Sequence, residues 1–179
     1  MDVNGLLLEG FGRVAEALPA VVKGLDTDDL LWRPDPGANS MAWLLWHLAR
    51  CEDAQMAPLV DREQLWTSGQ WVQKFQLPYS DDAMGYGQSA HEVGAFMLDD
   101  PHLLTGYYAA VHERSVEIIT GLRPADLDVV IDTRWDPPVT VGVRLLSVLN
   151  DITQHLGQAA YVRGLRQRSL RPRPRGRHD

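Results

Sequence analysis

Apolar residues recur at spacings of three and four along four long stretches of the chain, and this spacing is typical of helices that bury one face. Capping residues at the starts, and Pro and Gly residues between the stretches, give their approximate bounds. Pro19 lies inside the first stretch and should kink or split that helix. The predicted long helices extend from the residue after Asp2 to about Leu25, from the Asn39–Ser40 cap to about Val60, from about Asp100–Pro101 to Gly121, and from about Thr140 to Arg166.

The same spacing predicts which side chains face the core. Each helix has one apolar stripe, and the remaining positions are mainly polar or small. The expected inward residues are Leu7, Phe11, Val14, Leu18, Val21 and Leu25 on the first helix, Trp43, Leu44, Leu48, Cys51 and Ala54 on the second, Leu103, Tyr107, Val111, Val116 and Ile119 on the third, and Val143, Leu146, Leu149, Thr153, Leu156 and Ala160 on the last.

The segments between these helices predict little further regular structure. Residues 62–88 break the periodicity, but their aromatic content argues for an ordered loop that packs over one end of the molecule. A short helix is expected after Ser89, and residues 129–131 are the one short strand candidate. The pattern therefore predicts an all-α protein, an up-down-up-down four-helix bundle with a long aromatic-rich crossover loop.

Composition limits the remaining possibilities. The 179 residues can bury a large core in one domain, which we expect to span residues 1–166. Cys51 is the only cysteine, so intramolecular disulfides and cysteine-cluster zinc modules are excluded. Neither a signal segment nor an apolar run long enough for a membrane span is evident, and we expect a cytoplasmic protein that does not bind membranes.

Charge is distributed unevenly along the chain. Residues 163–179 include seven Arg and one acidic residue, whereas the preceding residues include 10 basic and 23 acidic residues. The acidic body would repel a phosphate backbone, so we expect no nucleic-acid partner. Residues 167–179 form a basic tail that should be disordered. The tail could contact RNA, anionic lipid or the acidic body, or serve only to increase solubility.

Three polar residues lie at positions where a bundle could hold a metal ion. His47 is flanked by large apolar residues in the second helix, and Asp151 and His155 share one face of the last helix at i,i+4 spacing. Two imidazoles and a carboxylate leave coordination positions open, as a catalytic metal site requires. A lone His in an apolar helix is, however, more often a hydrogen-bonded core residue than a ligand, and an Asp–His pair at this spacing is often a simple side-chain contact.

Other polar residues give weaker signals. Cys51 lies one turn after His47 and would be a nucleophile only if its pKa were lowered, so we interpret it as a small buried hydrophobic residue. His112 and Glu113 fit a solvated helix face, and His91 and His102 lie near helix starts. The sequence has no Ser-His-Asp order, phosphate loop or dinucleotide-binding glycine signature.

Several motifs resemble those of the DinB-like superfamily of metal-binding four-helix bundles. The segment Ser40–Arg50 resembles its second-helix motif around His47, and Asn150–Gly164 resembles its last-helix motif of a ligand followed by His-x-Gly-Gln. Three further segments resemble the narrower branch of actinobacterial mycothiol S-transferase-like proteins. They are residues 71–79, 85–89 and 134–145. Lys74 and Gln76 depart from the usual Arg-Phe-Gly-Leu-Pro form of the first of these.

The resemblance implies a ligand set and a cofactor. Members of the superfamily bind a divalent metal through one second-helix His and two last-helix residues, which correspond to His47, Asp151 and His155. Many members have His where this chain has Asp151. We expect Zn²⁺, with Ni²⁺, Mn²⁺ or Fe²⁺ as alternatives, and mycothiol as the thiol co-substrate. Residues expected to contact the thiol are Arg50, Trp71, Tyr86 and Arg144; for the two Arg residues, interhelical ion pairs remain an alternative.

The function implied is transfer of a metal-activated thiol to small electrophiles, as in detoxification. One alternative is a thiol-dependent isomerase of a small dicarboxylic acid. Members with that activity have a further C-terminal domain, and this chain ends soon after the last helix, which disfavours the alternative. Another is a metal- or ligand-binding stress-response protein without catalysis. The chain could form a homodimer, whichever of these functions it has.

Overall fold

The structure, a computed structural model, describes residues 1–170 and is built almost entirely from helices. Its α-helices are α1 (Val3–Val22), α2 (Thr27–Leu31), α3 (Met41–Met56), α4 (Leu65–Ser68), α5 (Trp71–Phe75), α6 (Ala90–Gly94), α7 (His102–Gly121) and α8 (Val141–Ser169). Two 3₁₀ turns, Ala57–Val60 and Pro124–Asp128, and a two-stranded antiparallel ribbon of β1 (Val130–Asp132) and β2 (Val139–Thr140) complete the described elements. The predicted all-α class is confirmed.

Helix starts follow local capping chemistry. Side chains of Asp2, Ser40 and Thr140 accept hydrogen bonds from backbone amides three residues later, at 2.8, 3.2 and 3.3 Å. Such bonds satisfy amides that the first turn leaves without partners. Of the two effects predicted for Pro19, the split does not occur; the helix continues past it and ends at Val22.

The four long helices form a square in cross-section. α1 packs against α7 and α8, and α3 packs against the same two helices, so α1 and α3 lie on one diagonal. The core between them includes Phe11, Leu45, Tyr107 and Ile152, each completely shielded from solvent. α3 is the most buried helix, and polar side chains on it therefore enter the core.

Contacts between the helices give their directions. Asn4 near the start of α1 donates a hydrogen bond to the carbonyl oxygen of Leu122, just after α7. Arg163 near the end of α8 donates one to the carbonyl oxygen of Val21, at the end of α1. Arg144 near the start of α8 donates to Gln55 near the end of α3, so α3 is antiparallel to α8. α1 and α8 therefore run one way and α3 and α7 the other, in the order up, down, down, up. The order differs from the alternating one that was predicted because the long segment from residue 57 to residue 101 returns the chain to the end where α3 began.

The buried face of α8 differs from the predicted one. Val143 and Leu146 are 49% and 64% exposed, and Thr153 and Ala160 are also exposed. The buried residues are Val141, Leu145, Val148, Ile152, Leu156, Ala159 and Val162. Apolar residues occur on both faces of this helix, so two stripes satisfy helical spacing, and packing against α3 selects between them.

The segment predicted as an ordered aromatic loop is ordered and contains α4 and α5. Trp66 and Phe75 are buried, and Trp66 packs on Tyr107 of α7 with ring centroids 5.3 Å apart. α6 is the short helix expected after Ser89, and it begins with a capping box formed by Ser89 and Glu92. The segment thus covers the α3–α7 side of the bundle.

At its C-terminal end, α8 continues to Ser169, three residues beyond the predicted domain boundary. Residues 171–179 of the predicted basic tail lie outside the described residues. Within residues 1–170, no helix combines the length and the apolar character needed to cross a bilayer.

Candidate metal centre

The contact between α3 and α8 brings together the three residues predicted as metal ligands. The two helices are antiparallel, so His47 in the middle of α3 meets Asp151 and His155 in the middle of α8. The rings of His47 and His155 lie edge to face with centroids 4.6 Å apart, and His155 Nε2 lies 3.5 Å from Asp151 Oδ1. His47 is 6% exposed, whereas the other two side chains are partly accessible from the surface.

Each histidine is held through its Nδ1 atom. Nδ1 of His47 lies against the carbonyl oxygen of Met84, and Nδ1 of His155 lies 2.9 Å from Oε1 of Gln158. A carbonyl oxygen and an amide oxygen accept hydrogen bonds, so we assign the proton to Nδ1 in both rings. Nε2 of each ring is then the atom that can bind a metal, which is the usual arrangement of metal-binding histidines.

A loop formed by residues 83–88, here called the covering loop, lies over His47. Trp43 stacks on the His47 ring with centroids 4.7 Å apart, and its Nε1 donates a hydrogen bond of 2.8 Å to Gln88. Gly85 has φ +91°, and a Cβ atom added there would lie 2.7 Å from His47 Nδ1. Only a residue without a side chain permits this approach.

Electrostatics favour a cation at this place. Oδ2 of Asp151 is shielded from solvent and has no hydrogen-bond partner among the described residues. Burial is the largest single influence on Asp151 and would raise its pKa, but His155, His47 and Cys51 together outweigh burial and lower the pKa; the contact with Asp151 raises the pKa of His155. Burial lowers the pKa of His47, which keeps this imidazole neutral and able to coordinate.

Cys51 joins this group, although the sequence analysis treated it as a hydrophobic residue. It is buried, and its Sγ lies 3.6 Å from His47 Nε2. Donor atoms of His47, Cys51 and Asp151 all lie within 4.8 Å of one another. Burial, and then the negative charge of Asp151, raise the pKa of the thiol, so Cys51 is not an activated nucleophile by itself. Its i,i+4 spacing from His47 was the sequence signal that could have identified it.

Arg50 is not directed at an open cleft. It is 1% exposed; its Nε donates to the carbonyl of Ala83 at 3.0 Å, and its Nη1 donates to Gln64 at 2.9 Å and to Tyr107 at 3.3 Å. These bonds connect α3, the covering loop and α7. Arg50 therefore fixes the loop that covers His47.

The other residues predicted to contact a thiol lie in three different environments. Trp71, the first residue of α5, packs against α7, with its ring centroid 5.3 Å from that of Tyr107. Arg144 donates a hydrogen bond of 2.9 Å to Gln55, on the α3–α8 contact two turns before Asp151. Tyr86, in the covering loop, is 90% exposed. Tyr86 is thus the residue of this set whose side chain extends into solvent, next in sequence to the Gly85 that contacts His47.

Taken together, the donors fit a divalent cation. The site offers two imidazole nitrogens, a carboxylate with a buried unpaired oxygen and a thiol sulfur, and such mixed sets bind first-row divalent metals. The oxygen atoms of Met84 and Gln158, which accept from Nδ1 of the two rings, orient both imidazoles. His47, Asp151 and His155 would hold the ion, with Cys51 adjacent.

Comparisons with known proteins agree with this architecture. The family model described as the DinB superfamily matches residues 11–159. The crystal structure of a conserved protein from Enterococcus faecalis is similar to this chain with a TM-score of 0.87 and 32% sequence identity, over 92% of this chain and 97% of that one. A search of curated proteins found no match.

Proposed function

The chain belongs to the DinB superfamily, which includes metal-dependent enzymes, and from its site we propose that it is a divalent-metal-dependent transferase that joins a low-molecular-weight thiol to small electrophiles. The observation that carries the proposal is the pair of imidazoles, His47 and His155, held through Nδ1 with Nε2 free beside the unpaired oxygen of Asp151. We propose Zn²⁺ as the resident ion and mycothiol as the thiol.

His47, Asp151 and His155 would bind the ion. A divalent cation bound there would stabilise the thiolate form of a coordinated thiol, which is the nucleophilic form. In the overall reaction the thiol sulfur forms a bond to an electrophilic carbon, the leaving group departs with its electron pair, and the thiol proton passes to solvent.

The protein's own side chains would orient the thiol and limit access of water. Trp43 and the covering loop shield one face of His47. Tyr86 extends from that loop into solvent and would contact the organic part of the thiol. Arg50 would act as a positioning residue through Ala83, and Trp71 would act through its packing on α7. Arg144, which is bonded to Gln55, would contact the thiol from the α3–α8 contact.

Elemental analysis of the purified protein tests the site. We expect about one divalent metal ion per chain in the wild type and a lower metal content in His155→Ala, because removal of one imidazole ligand weakens binding of the ion. The matched control is His102→Ala, which removes an exposed histidine at the start of α7 and should retain the metal. Equal metal content in His155→Ala and the wild type would reject the ligand assignment.

Conjugation assays test the reaction itself. The metal-loaded wild type, given mycothiol and an electrophile such as a chloro-aromatic or monobromobimane, should form the thioether faster than the same mixture without protein. The metal-depleted protein and His155→Ala should not accelerate the reaction. Tight metal binding without acceleration for any electrophile would instead favour the non-catalytic metal-binding alternative.

A further inference from the structure

Cys51 and His47 form an i,i+4 pair on α3 that faces the i,i+4 pair of Asp151 and His155 on α8. Residues four apart lie on one helix face. Two such pairs on antiparallel helices place four donor side chains near one another, and the donor atoms of three of them, His47, Cys51 and Asp151, all lie within 4.8 Å of one another. The symmetry of this arrangement distinguishes Cys51 from an ordinary small core residue.

The separations fit a common ion. With metal–nitrogen bonds of about 2.0–2.1 Å and metal–sulfur bonds of about 2.3 Å, a nitrogen and a sulfur on a tetrahedral metal lie about 3.6 Å apart. The observed distances from Cys51 Sγ to Nε2 and Nδ1 of His47 are 3.6 and 3.7 Å, so the sulfur already lies at this range from the ring and has to turn toward Nε2 to share an ion with it. The group formed by His47, Cys51 and Asp151 is compact enough for one ion to contact all three donors.

A second observation is independent of these distances. Oδ2 of Asp151 is shielded from solvent and has no hydrogen-bond partner within residues 1–170. A buried carboxylate oxygen without a partner is costly unless a cation compensates it. The oxygen that lacks a partner thus belongs to the same group of side chains as the Cys51 sulfur.

We propose that Cys51 is a fourth metal ligand, bound through its thiolate together with His47, Asp151 and His155. The inference rests on the metal site of the proposed function. On binding, the S–H bond of Cys51 breaks, a sulfur–metal bond forms, and the proton is released to solvent. A thiolate in the donor set selects for ions such as Zn²⁺ or Co²⁺ over Mg²⁺ and Ca²⁺.

The fourth ligand changes how a substrate thiol reaches the metal. With four protein donors in place, an incoming thiol must either replace one of them or raise the coordination number to five. Cys51 therefore both holds the ion and controls the access of the substrate thiol to it.

Cobalt substitution tests the proposal directly because Cys51 is the only cysteine in the chain. Metal-free protein is titrated with Co²⁺ under anaerobic conditions, with no added thiol, and its absorption spectrum is recorded. We expect d–d bands typical of tetrahedral Co²⁺ and a near-ultraviolet thiolate-to-cobalt charge-transfer band, which no other residue of this chain can supply. The bands should saturate at about one equivalent.

Two variants complete the experiment. Cys51→Ser and Cys51→Ala should bind about one Co²⁺ through the other three residues, at least tenfold more weakly, and lack the charge-transfer band. Far-ultraviolet circular dichroism checks that both remain folded. Wild-type protein that binds one Co²⁺ with d–d bands but without the charge-transfer band would overturn the role of Cys51 and leave the proposed site intact. Failure to bind any Co²⁺ would overturn both.

Discussion

Gly85 brings the backbone of the covering loop against the His47 ring, where a side chain has no room. Its φ of +91° lies in a region that other residues rarely adopt, and an added Cβ would also lie 2.9 Å from the Trp43 ring. Glycine is therefore required here for two separable reasons, the backbone conformation and the close approach. Gly87 in the same loop has φ +73° but open space around it.

Comparing alanine variants at these two positions separates the reasons. Both Gly85→Ala and Gly87→Ala should lose about 1–2 kcal/mol of stability because a Cβ strains a left-handed backbone. Gly85→Ala alone should also displace His47 from its Nδ1 partner, and loss of such an outer contact weakens metal affinity about 10- to 100-fold. Metal titration and chemical denaturation measure the two effects. Equal metal affinity in the two variants would contradict the role given to the close approach.

At the scale of elements, one buried network joins α3, α4 and α7. Asp53 accepts hydrogen bonds from the backbone amides of Leu65 and Trp66, at 2.9 and 2.8 Å, and from the Tyr107 hydroxyl at 2.8 Å. Its carboxylate also lies 3.8 Å from the guanidinium of Arg50, and both side chains are 1% exposed. Asp53 thus fixes the start of α4 and compensates the charge of the residue that holds the covering loop.

Removing this carboxylate should be costly. Asp53→Ala leaves the buried charge of Arg50 without its acidic partner, and we expect a loss of about 3–5 kcal/mol in the free energy of unfolding. Amide hydrogen exchange should accelerate at Leu65 and Trp66, which lose their acceptor. The control is Glu9→Ala, which breaks an exposed pair with Arg13 and should cost at most about 0.5 kcal/mol. Unchanged exchange at the two amides in Asp53→Ala would refute the assignment.

At the scale of the whole molecule, the dependence of stability on pH is linked to Glu52, an acidic residue buried between α3 and α7. It is completely shielded from solvent, and neither carboxyl oxygen has a hydrogen-bond partner among the described residues. Burial raises its pKa to about 7, although the hydroxyl of Ser115 opposes the shift. The folded protein therefore retains a proton on Glu52 at pH values where the unfolded chain releases it.

This difference predicts the direction of a pH effect on stability. Between the unfolded value of 4.5 and about 7, the folded state binds more protons, so the free energy of unfolding falls as pH rises. The contribution of Glu52 should decrease by about 3 kcal/mol over this range and stay constant above it. Glu52→Gln cannot titrate at this position, so the stability difference between wild type and variant should change with pH by that amount.

Urea denaturation of both proteins at several pH values, with a chelator present to prevent metal binding, measures the effect. Using the difference between the two proteins cancels the titration of Asp151 and His155, which both retain. A difference that is constant from pH 4.5 to 8 would contradict the buried, protonated state of Glu52 in the folded protein.

The sequence by itself determined the all-α class, the number of long helices and most of their ends, because helical periodicity and capping depend on residues within a few positions of one another. It also placed Asp151 and His155 on one helix face. Which face of α8 is buried required the tertiary structure, since Val143 and Leu146 satisfy helical spacing as well as Val141 and Leu145 do. Packing against α3 decides between them.

Helix direction and the composition of the site were likewise tertiary properties. The order up, down, down, up depends on where the segment from residue 57 to residue 101 returns the chain, which no local pattern contains. Cys51 could be paired with His47 by spacing, but only the antiparallel contact of α3 with α8 sets its sulfur beside Asp151, about 100 positions away in sequence. Spacing within one helix proposes ligands, and packing between helices decides which of them meet.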